Sequence, residues 1–268
     1  MKKQELTASN ADKYDLYLKS VQAPSSDARF LDRWFRKITG HHAKRFREDF
    51  CGTANLSCEF IRLRPDNRAF AVDIDPDPLL WCILYNVPWL NKSQRSRLEL
   101  MKADVFESRF PKVDMIAAFN FSYWIFKERN VLLSYFKKVR SDLVSGGLFF
   151  IDVMGGPLNQ EIKSHTFDAG DFNYVWELAK FNPIDNNVLF KIHFQFKNGS
   201  KIRNAFHYDC RMWSLPELKD LMKEAGFGRV TVLWQQANGN ERSATDHFRI
   251  STQADSEGAW VAYLIAQT

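Results

Sequence analysis

Cysteine is scarce in this chain, and long apolar runs are missing. The four cysteines are Cys51, Cys58, Cys82 and Cys210. They show no CxxC spacing and are too sparse for the disulfide framework of a small secreted domain. Uncharged stretches such as Met115 to Phe126 are too short to span a bilayer. These absences argue against export and membrane insertion, and we expect a chain of the reducing cytoplasm.

A strong excess of charge of one sign is missing as well. There are 37 lysines and arginines against 32 aspartates and glutamates, a formal net charge of +5, and no run of five basic residues occurs. This balance is typical of a solvated surface of mixed charge and does not predict a nucleic-acid partner. The histidines and cysteines also lack the spacings of metal ligands. His41 and His42 are adjacent, but their side chains would point apart on a strand or a helix. We therefore expect no metal site and no membrane partner, while a homodimer stays open.

Aromatic residues, in contrast, are abundant. They make up 15% of the chain, with 23 Phe, 8 Trp and 8 Tyr. Most must fill a core, and some can line a pocket, since rings supply rigid contact area at low entropic cost. At 268 residues the chain can form one domain or a core domain with an elaborated cap, and we favour the second.

Strand and helix patterns alternate through the first half of the chain. Apolar spacing predicts two leading helices over 10–22 and 27–39. Five strands follow, separated by helices, which is typical of a parallel sheet with right-handed crossovers. Their predicted ranges are 44–50, 69–73, 97–103, 113–120 and 147–154.

The pattern changes after Gly155 and Gly156. Period-two alternation predicts an antiparallel insert with strands over 171–181, 188–197 and 201–209. A capping box at Ser214 opens a further helix, and two final strands over 229–235 and 259–266 complete the main sheet. The polar segment 236–257 between them is predicted to be a mobile loop. The predicted divisions of the chain are 1–43, 44–155, 156–212 and 213–268.

The most informative segment is 47–54, with the sequence REDFCGTA. It is typical of a strand, a tight turn at Gly52 and the start of a helix. Gly52 lets a ligand approach the backbone, and the free amides of the helix start favour a polar or negative group. A second strand ends about twenty residues later at Asp73, whose carboxylate can accept from both hydroxyls of a ribose. Together these features predict an open α/β sheet that binds a nucleoside.

This turn, the Val-Asp-Ile-Asp end of the second strand and Ala103-Asp104-Val105 after a third resemble class I S-adenosylmethionine-dependent methyltransferases. Segments 120–123 (NFSY), 174–177 (YVWE) and 213–218 (WSLPEL) are similar to a little-characterised branch of that family. The resemblance implies an α/β, doubly wound, Rossmann-like fold. It further implies a seven-stranded, mostly parallel sheet, an antiparallel β insert after strand five and N-terminal lid helices. Phe50 and Ala54 stand where the family more often has glycine, and either can narrow the methionine part of the pocket.

The resemblance also assigns roles along the cofactor, S-adenosyl-L-methionine. Glu48, or Asp49 beside it, reaches the methionine ammonium, and Glu48 is the better match. Asp73 binds the ribose, while Asp104 and Val105 hold the adenine. The alternatives are a surface acid at a strand end for Glu48 or Asp49, helix capping for Asp73 and an acid in a turn for Asp104. The complete cofactor set is Glu48, Asp49, Cys51, Gly52, Thr53, Ala54, Asp73, Ile74, Asp104, Val105 and Asn120.

Asn120 and Tyr123 are the candidate catalytic residues, because they follow the fourth strand, at the edge nearest the transferred methyl in this fold. Their spacing resembles the Asn-Pro-Pro-Tyr signature of amine methyltransferases, although both prolines are absent. A dedicated base is not required; if one acts, the candidates are His165, His193 and His207. The candidate substrate contacts on the insert are Tyr174, Trp176, Arg203, Tyr208 and Arg211.

We therefore expect a cytoplasmic methyltransferase that moves the methyl of S-adenosylmethionine to a nitrogen or oxygen of a small-molecule acceptor. One alternative is a methyltransferase that acts on protein or nucleic acid. Another is a cofactor-binding module without turnover, in which Phe50 blocks productive placement of the methyl. A nicotinamide dehydrogenase ranks last, because the G-x-G-x-x-G turn is missing.

Overall fold

A computed structural model describes residues 5–235, 248–255 and 257–268, which divide into two compact units. The larger unit holds Pro24–Gly156 and the described part of Trp213–Thr268, and the smaller holds Pro157–Met212 with the described residues before Pro24. The helices are α1 Lys13–Val21, α2 Pro24–Thr39, α3 Asn55–Leu63, α4 Pro76–Trp81, α5 Lys92–Arg95, α6 Arg129–Asp142 and α7 Leu215–Glu224. The strands are β1 Arg45–Asp49, β2 Arg68–Asp73, β3 Leu98–Lys102, β4 Val113–Ala118, β5 Leu143–Gly155, β6 Ser164–Asp168, β7 Phe172–Asn182, β8 Asn187–Phe196, β9 Lys201–Arg211, β10 Arg229–Gln235, β11 Phe248–Ile250 and β12 Trp260–Gln267.

The larger unit is built on one sheet with the strand order β11-β10-β12-β5-β4-β1-β2-β3. Strands β1 to β5 are parallel to one another, and β12 runs antiparallel to both β5 and β10. The chain steps outward from β1 to β3 and then returns to β4 on the other side of β1, so the strand order reverses between β1 and β4. The predicted α/β fold with a mostly parallel, doubly wound sheet is confirmed.

The strand count differs from the prediction, because this sheet has eight strands among the described residues and not seven. The additional strand, β11, has three residues and pairs with β10. It lies inside the predicted loop 236–257, of which 236–247 and Ser256 lie outside the described residues. Three residues are too few to show period-two alternation. The strand is anchored by Phe248, whose ring centroid lies 4.9 Å from that of Tyr263.

Helices cover both faces of the sheet, and β5 shows how the sequence supplies both contacts. Phe149 and Phe150 are adjacent, fully buried and point to opposite faces. Phe150 belongs to the core formed with α2 and α3, which also contains Phe35 and Phe60. Phe149 contacts Phe136 of α6, with ring centroids 5.9 Å apart. A continuous apolar strand is typical of a sheet buried on both faces.

The smaller unit is a four-stranded antiparallel sheet in the order β6-β7-β8-β9. Leu16 of α1 packs into the same cluster as Phe172 and Phe194. Helix α1 therefore belongs to this unit and α2 to the larger one, whereas the sequence predicts 1–43 as a single segment. The sequence also does not predict β6, because all five residues of this strand are exposed and show no apolar alternation.

A buried ion network links α6 to β1. Arg47 and Asp49 are two residues apart in β1, so their side chains share a face, and each residue is only 1% exposed. Arg47 Nε lies 2.8 Å from Asp49 Oδ1, and Arg47 also pairs with Asp142 at the end of α6. The Tyr135 hydroxyl donates to Asp49 Oδ2 at 2.9 Å. These contacts satisfy charges that would be costly to bury alone.

Removing one charge of this network should destabilise the larger unit. Asp49→Asn keeps the side-chain size but leaves the buried Arg47 guanidinium short of a carboxylate. We expect the free energy of unfolding to fall by about 3 kcal/mol, the lower end of the range for breaking a buried ion pair, because Asp142 still pairs with Arg47. Urea unfolding followed by circular dichroism measures the change.

The control is Glu224→Gln, which breaks the exposed pair between Glu224 and Arg129. This variant should leave the urea midpoint nearly unchanged, since exposed ion pairs contribute little. Equal shifts of the midpoint in the two variants would contradict the stabilising role of the network.

Candidate active site

The carboxyl ends of β1 and β4 meet where the strand order reverses. In open α/β sheets the ligand crevice lies at such a switch point. Six non-glycine residues of the described ranges have positive φ, and four of them follow these two strands. They are Phe50, Ala54, Asn120 and Phe121. Because a left-handed backbone is costly for such residues, its concentration here marks the candidate site.

The turn after β1 keeps a left-handed backbone at two positions that lack glycine. Gly52 has a φ of 51°, and the flanking Phe50 and Ala54 have φ values of 56° and 49°. The Phe50 ring lies against Phe126 and Tyr135, with centroid distances of 5.8 and 5.6 Å. Helix α3 begins directly after Ala54. The turn therefore has the conformation that glycine usually provides, while the Phe50 ring is held in an aromatic cluster.

Strand alternation separates Glu48 from Asp49. Glu48 Oε2 accepts hydrogen bonds from the Ser57 amide at 2.9 Å and the Ser57 hydroxyl at 2.6 Å. Burial raises the pKa of Glu48 to about 8; the bonds from Ser57 oppose the rise, and the charges of Asp73 and Asp27 add to it. Asp49 points to the other face, into the ion network described above. Glu48 therefore lies where β1 and β4 are paired, beside the crevice at their carboxyl ends, which we call the crease. Asp49 is held in the ion network instead, and its contact with the cofactor stays a prediction.

Asp73 joins the end of β2 to the turn after β1. Its Oδ2 accepts the Gly52 N–H at 2.7 Å, and its Oδ1 accepts the Asp75 N–H at 2.9 Å. Burial raises the pKa of Asp73. The helix-capping role considered for Asp73 is filled by Asp75, which accepts the Asp77 N–H at 2.9 Å. Asp73 therefore lies at the crease, where its carboxylate holds the backbone of the turn at Gly52.

The remaining cofactor candidates follow β2 and β3 or lie within the turn. Asp104 Oδ1 accepts the Phe106 N–H at 2.9 Å, so this acid closes a turn just beyond β3. Ile74 is 64% exposed at the end of β2. The buried members of this remaining group are Cys51, Thr53, Ala54 and Val105.

An acid from β5 fixes the segment after β4. Asp152 accepts the N–H of Asn120 at Oδ2, 2.8 Å, and the N–H of Phe121 at Oδ1, 2.9 Å. The Tyr123 hydroxyl donates to the backbone carbonyl of Asp152 at 2.8 Å. Tyr123 is fully buried, whereas Asn120 is exposed. The two candidate catalytic residues therefore differ. Asn120 is accessible, whereas the buried Tyr123 hydroxyl is already hydrogen-bonded to the backbone of β5.

Sequence reasoning missed Asp152. This residue is 9% exposed, and burial raises its pKa to about 7 against the opposing effect of the N–H bonds from Phe121 and Asn120. One feature of the sequence could have identified Asp152: it is the only acid in the apolar strand β5. A charged group in a strand buried on both faces needs a hydrogen-bonding partner, and the backbone after β4 is that partner.

The candidate substrate contacts of the insert do not share one face of its sheet. Register pairs Tyr174 with Phe194 and Phe190 with Tyr208, on the face that carries the cluster around Leu16. Trp176 packs against the same cluster. Arg203 and Arg211 stand one position out of phase with Ile202 and Cys210, so they lie on the opposite face. One sheet surface containing all five residues is therefore not formed.

One of the three candidate bases is fully engaged. His193 Nε2 lies 2.7 Å from Glu177 Oε2, and His193 Nδ1 accepts the Asn204 N–H at 2.8 Å. Since Nδ1 is an acceptor, the proton sits on Nε2 and points to Glu177. Neither ring nitrogen is available to take a proton from a substrate. His165 and His207 are exposed and stay candidates by residue type alone.

In the described ranges, no three His, Cys, Asp or Glu residues are arranged to hold a metal ion. No helix in the same ranges is both long and apolar enough to cross a bilayer.

Comparison with known proteins is informative at the level of structure. No protein-family model and no curated protein sequence matches the chain. An S-adenosylmethionine-dependent methyltransferase from Clostridium acetobutylicum superposes with a TM-score of 0.67 at 15% identity, covering 95% of this chain and 96% of its own. CalS10 from Micromonospora echinaspora, an amino pentose methyltransferase with S-adenosylmethionine bound, gives 0.67 at 10% identity and covers 96% and 97%.

A third similar structure is KedS8, a sugar N-methyltransferase from Streptoalloteichus, with a TM-score of 0.63 at 14% identity over 100% of this chain and 95% of its own. Similarity over nearly the full length of both chains, at such low identity, establishes the architecture. The chain has the Rossmann-like fold of the class I S-adenosylmethionine-dependent methyltransferases.

Proposed function

We propose that this chain is a S-adenosylmethionine-dependent methyltransferase that transfers the methyl group to a nitrogen or oxygen of a small-molecule acceptor. The observation that carries the proposal is the crease at the switch point. There the left-handed turn at Gly52 is tied to Asp73, and Glu48 lies close enough for the charge of Asp73 to raise its pKa. The fold of the similar structures supports the same reading.

The charge of the crease suits this cofactor. Burial raises the pKa values of both Glu48 and Asp73, so these carboxyl groups lack a cationic partner strong enough to offset desolvation. S-adenosylmethionine carries a sulfonium and an ammonium, and a nearby cation favours the ionised carboxylate. We assign Glu48 to the ammonium and Asp73 to the ribose hydroxyls, which a carboxylate can accept in a fork.

The other cofactor assignments follow the order of the strands. Asp104 and Val105, beyond β3, are proposed to hold the adenine, and the exposed Ile74 covers its face. The turn bounds the methionine part of the cofactor with Cys51, Gly52, Thr53 and Ala54. Its buried thiol, Cys51, contributes bulk and no chemistry, because burial raises the pKa of the thiol and the thiolate is the reactive form.

The bound cofactor would supply an activated methyl group. The acceptor nitrogen or oxygen would attack this methyl with its lone pair, the carbon–sulfur bonding pair would pass to sulfur, and the proton displaced from the acceptor would leave to water. The protein aligns the acceptor and excludes solvent. Asn120 is the proposed acceptor contact, because its exposed amide can both donate and accept. Tyr123 holds this segment in place through the hydrogen bond from its hydroxyl to the backbone carbonyl of Asp152.

The acceptor is proposed to be a small molecule, with nitrogen preferred. Two of the similar structures are described as an amino pentose methyltransferase and a sugar N-methyltransferase. On the insert, Arg203 and Arg211 stay predictions by residue type alone, because a guanidinium suits an anionic group of an acceptor. Tyr174 is buried in the cluster with Leu16, and no acceptor contact is proposed for it.

Asp73 should be required for cofactor binding, while its neighbour Asp75 should not. We expect Asp73→Asn to weaken S-adenosylhomocysteine binding about 10- to 100-fold, the cost of losing hydrogen bonds to a charged acceptor. Asp75→Asn makes the same chemical change at the cap of α4, where asparagine caps as well as aspartate. Isothermal titration calorimetry measures both affinities.

Equal affinities in the two variants, or no binding by the wild type, would contradict the cofactor assignment. Formation of S-adenosylhomocysteine from S-adenosylmethionine, measured across a panel of amines and hydroxyl compounds, then distinguishes an enzyme from a module that only binds. A binding protein that shows no product with any member of the panel would favour the module.

Glu48 should release a proton when the cofactor ammonium binds. The free protein holds Glu48 largely protonated at pH 7, since its pKa is about 8, and the ammonium pairs with the ionised form. We expect up to about one proton released per S-adenosylhomocysteine at pH 7, and an affinity that rises with pH up to about 8. Calorimetry in two buffers of different ionisation enthalpy measures the proton count.

The matched variant is Glu48→Gln, in which the proton release at pH 7 should disappear. A carboxyl group whose pKa is raised on folding costs stability as pH rises from its ordinary value of 4.5 to about 8. The Gln variant should therefore be at least as stable as the wild type at pH 8, which serves as its folding control. Proton release that is unchanged in this variant would remove Glu48 from the ammonium site.

A further inference from the structure

The backbone of Asn120 and Phe121, directly after β4, binds the side-chain carboxylate of Asp152. Asn120 and Phe121 have φ values of 59° and 56°, and their two successive N–H groups converge on the carboxylate of Asp152. Successive amides in such a conformation form a concave anion site. Because Asp152 fills it, these two donors are already used at the point where the acceptor is proposed to bind.

Other oxygen-bearing side chains surround Asp152. Asp27 of α2 adds to the rise in the pKa of Asp152, for which burial is the main cause. Tyr263 of β12 stands directly opposite Asp152 in the sheet register, and burial, then the charges of Asp152 and Asp27, raise the pKa of its phenol. A substrate with an anionic reacting group would be repelled by the Asp152 carboxylate, and the two amides that could bind it are already used. A substrate whose reacting group donates a hydrogen bond would instead meet oxygen atoms that can accept it.

We propose that Asp152 is a positioning residue that holds the Asn120–Phe121 segment and selects an acceptor whose reacting group is a hydrogen-bond donor. An amine is the best match, and a carboxylate or phenolate is disfavoured. This inference rests on the proposed methyltransferase function and narrows its substrate class. It is compatible with an anionic group elsewhere on the acceptor, since the selection acts only at the reacting atom.

A second aspartate with the same contact pattern supplies a matched control. Asp114 Oδ2 accepts the N–H groups of Lys44 and Arg45 at 2.9 and 2.8 Å. These amides lie at the amino end of β1, the edge of the sheet opposite the crease. Asp114 is half-buried and also pairs with Arg45. Asp114→Asn therefore removes a carboxylate charge from two successive amides, as Asp152→Asn does, but away from the proposed site.

Sinefungin is a probe that does not require the acceptor to be known. It carries a protonated amine in place of the methylated sulfur, whereas S-adenosylhomocysteine has a neutral sulfur there. The adenosine and amino-acid ends of the two ligands are the same, so effects of Glu48 and Asp73 cancel in the ratio of their dissociation constants. That ratio reports on the charge beside the transferred methyl.

We expect the wild type to bind sinefungin at least about fivefold more tightly than S-adenosylhomocysteine, the effect of one hydrogen bond or close contact between charged groups. Asp152→Asn should reduce this ratio to about one while S-adenosylhomocysteine affinity changes less than about twofold. Asp114→Asn should keep the ratio of the wild type. A ratio that is the same in all three proteins, with S-adenosylhomocysteine still bound, overturns the inference and leaves the proposed function standing.

The wild type alone provides a second test if Asp152→Asn does not fold. The ratio should grow between pH 6 and pH 8, because the pKa of Asp152 is about 7 and its carboxylate attracts the sinefungin amine only when ionised. A ratio that is constant over this range overturns the inference. Failure of the wild type to bind either ligand overturns the proposed function itself, and the inference with it.

Discussion

The hydrogen bond from the Gly52 amide to the Asp73 carboxylate is the constraint on which the candidate site depends. It joins the ends of two neighbouring strands and fixes a turn whose backbone is left-handed at three of five positions. Unsupported, such a turn would be costly for Phe50 and Ala54. The Phe50 ring is secured by aromatic neighbours and Ala54 by burial, so the surrounding structure over-determines the conformation.

Carboxylates shape both halves of the crease by binding backbone amides. Asp73 does so after β1 and Asp152 after β4. In both cases an acid on the adjacent strand holds a left-handed segment of its neighbour. The site is therefore assembled by contacts between strands that are distant in sequence, and its negative charge is a by-product of the groups that stabilise its backbone.

Much of the fold could be predicted from local pattern. The strand at 229–235 is found with the predicted bounds, and the parallel strands β1 to β4 differ from prediction by at most two residues at either end. For β2 and β4 the signal is a buried apolar run. Strands β6 and β11 could not be found this way. The first is wholly exposed and the second has three residues, so each depends on pairing with a neighbour and not on its own periodicity.

The site could be predicted less completely. Alternation alone shows that Glu48 and Asp49 point apart, but the choice between them requires knowing that α3 lies on one side of β1 and Tyr135 of α6 on the other. Likewise, the burial of Tyr123 and the role of Asp152 follow from the adjacency of β4 and β5, which no local pattern contains. Sequence reasoning identified the segments that form the crease, and tertiary contacts decide which side chain of each segment reaches it.

The position of β12 has a consequence for how the larger unit is built. This strand is the last in sequence of the twelve that the structure describes, yet it lies inside the sheet and pairs with both β5 and β10. During synthesis the edge of β5 that pairs with β12 stays unpaired until β12 has been made. An unpaired apolar edge of this kind is a template for aggregation. Nascent or truncated forms that lack β12 are thus the ones for which chaperone protection matters most.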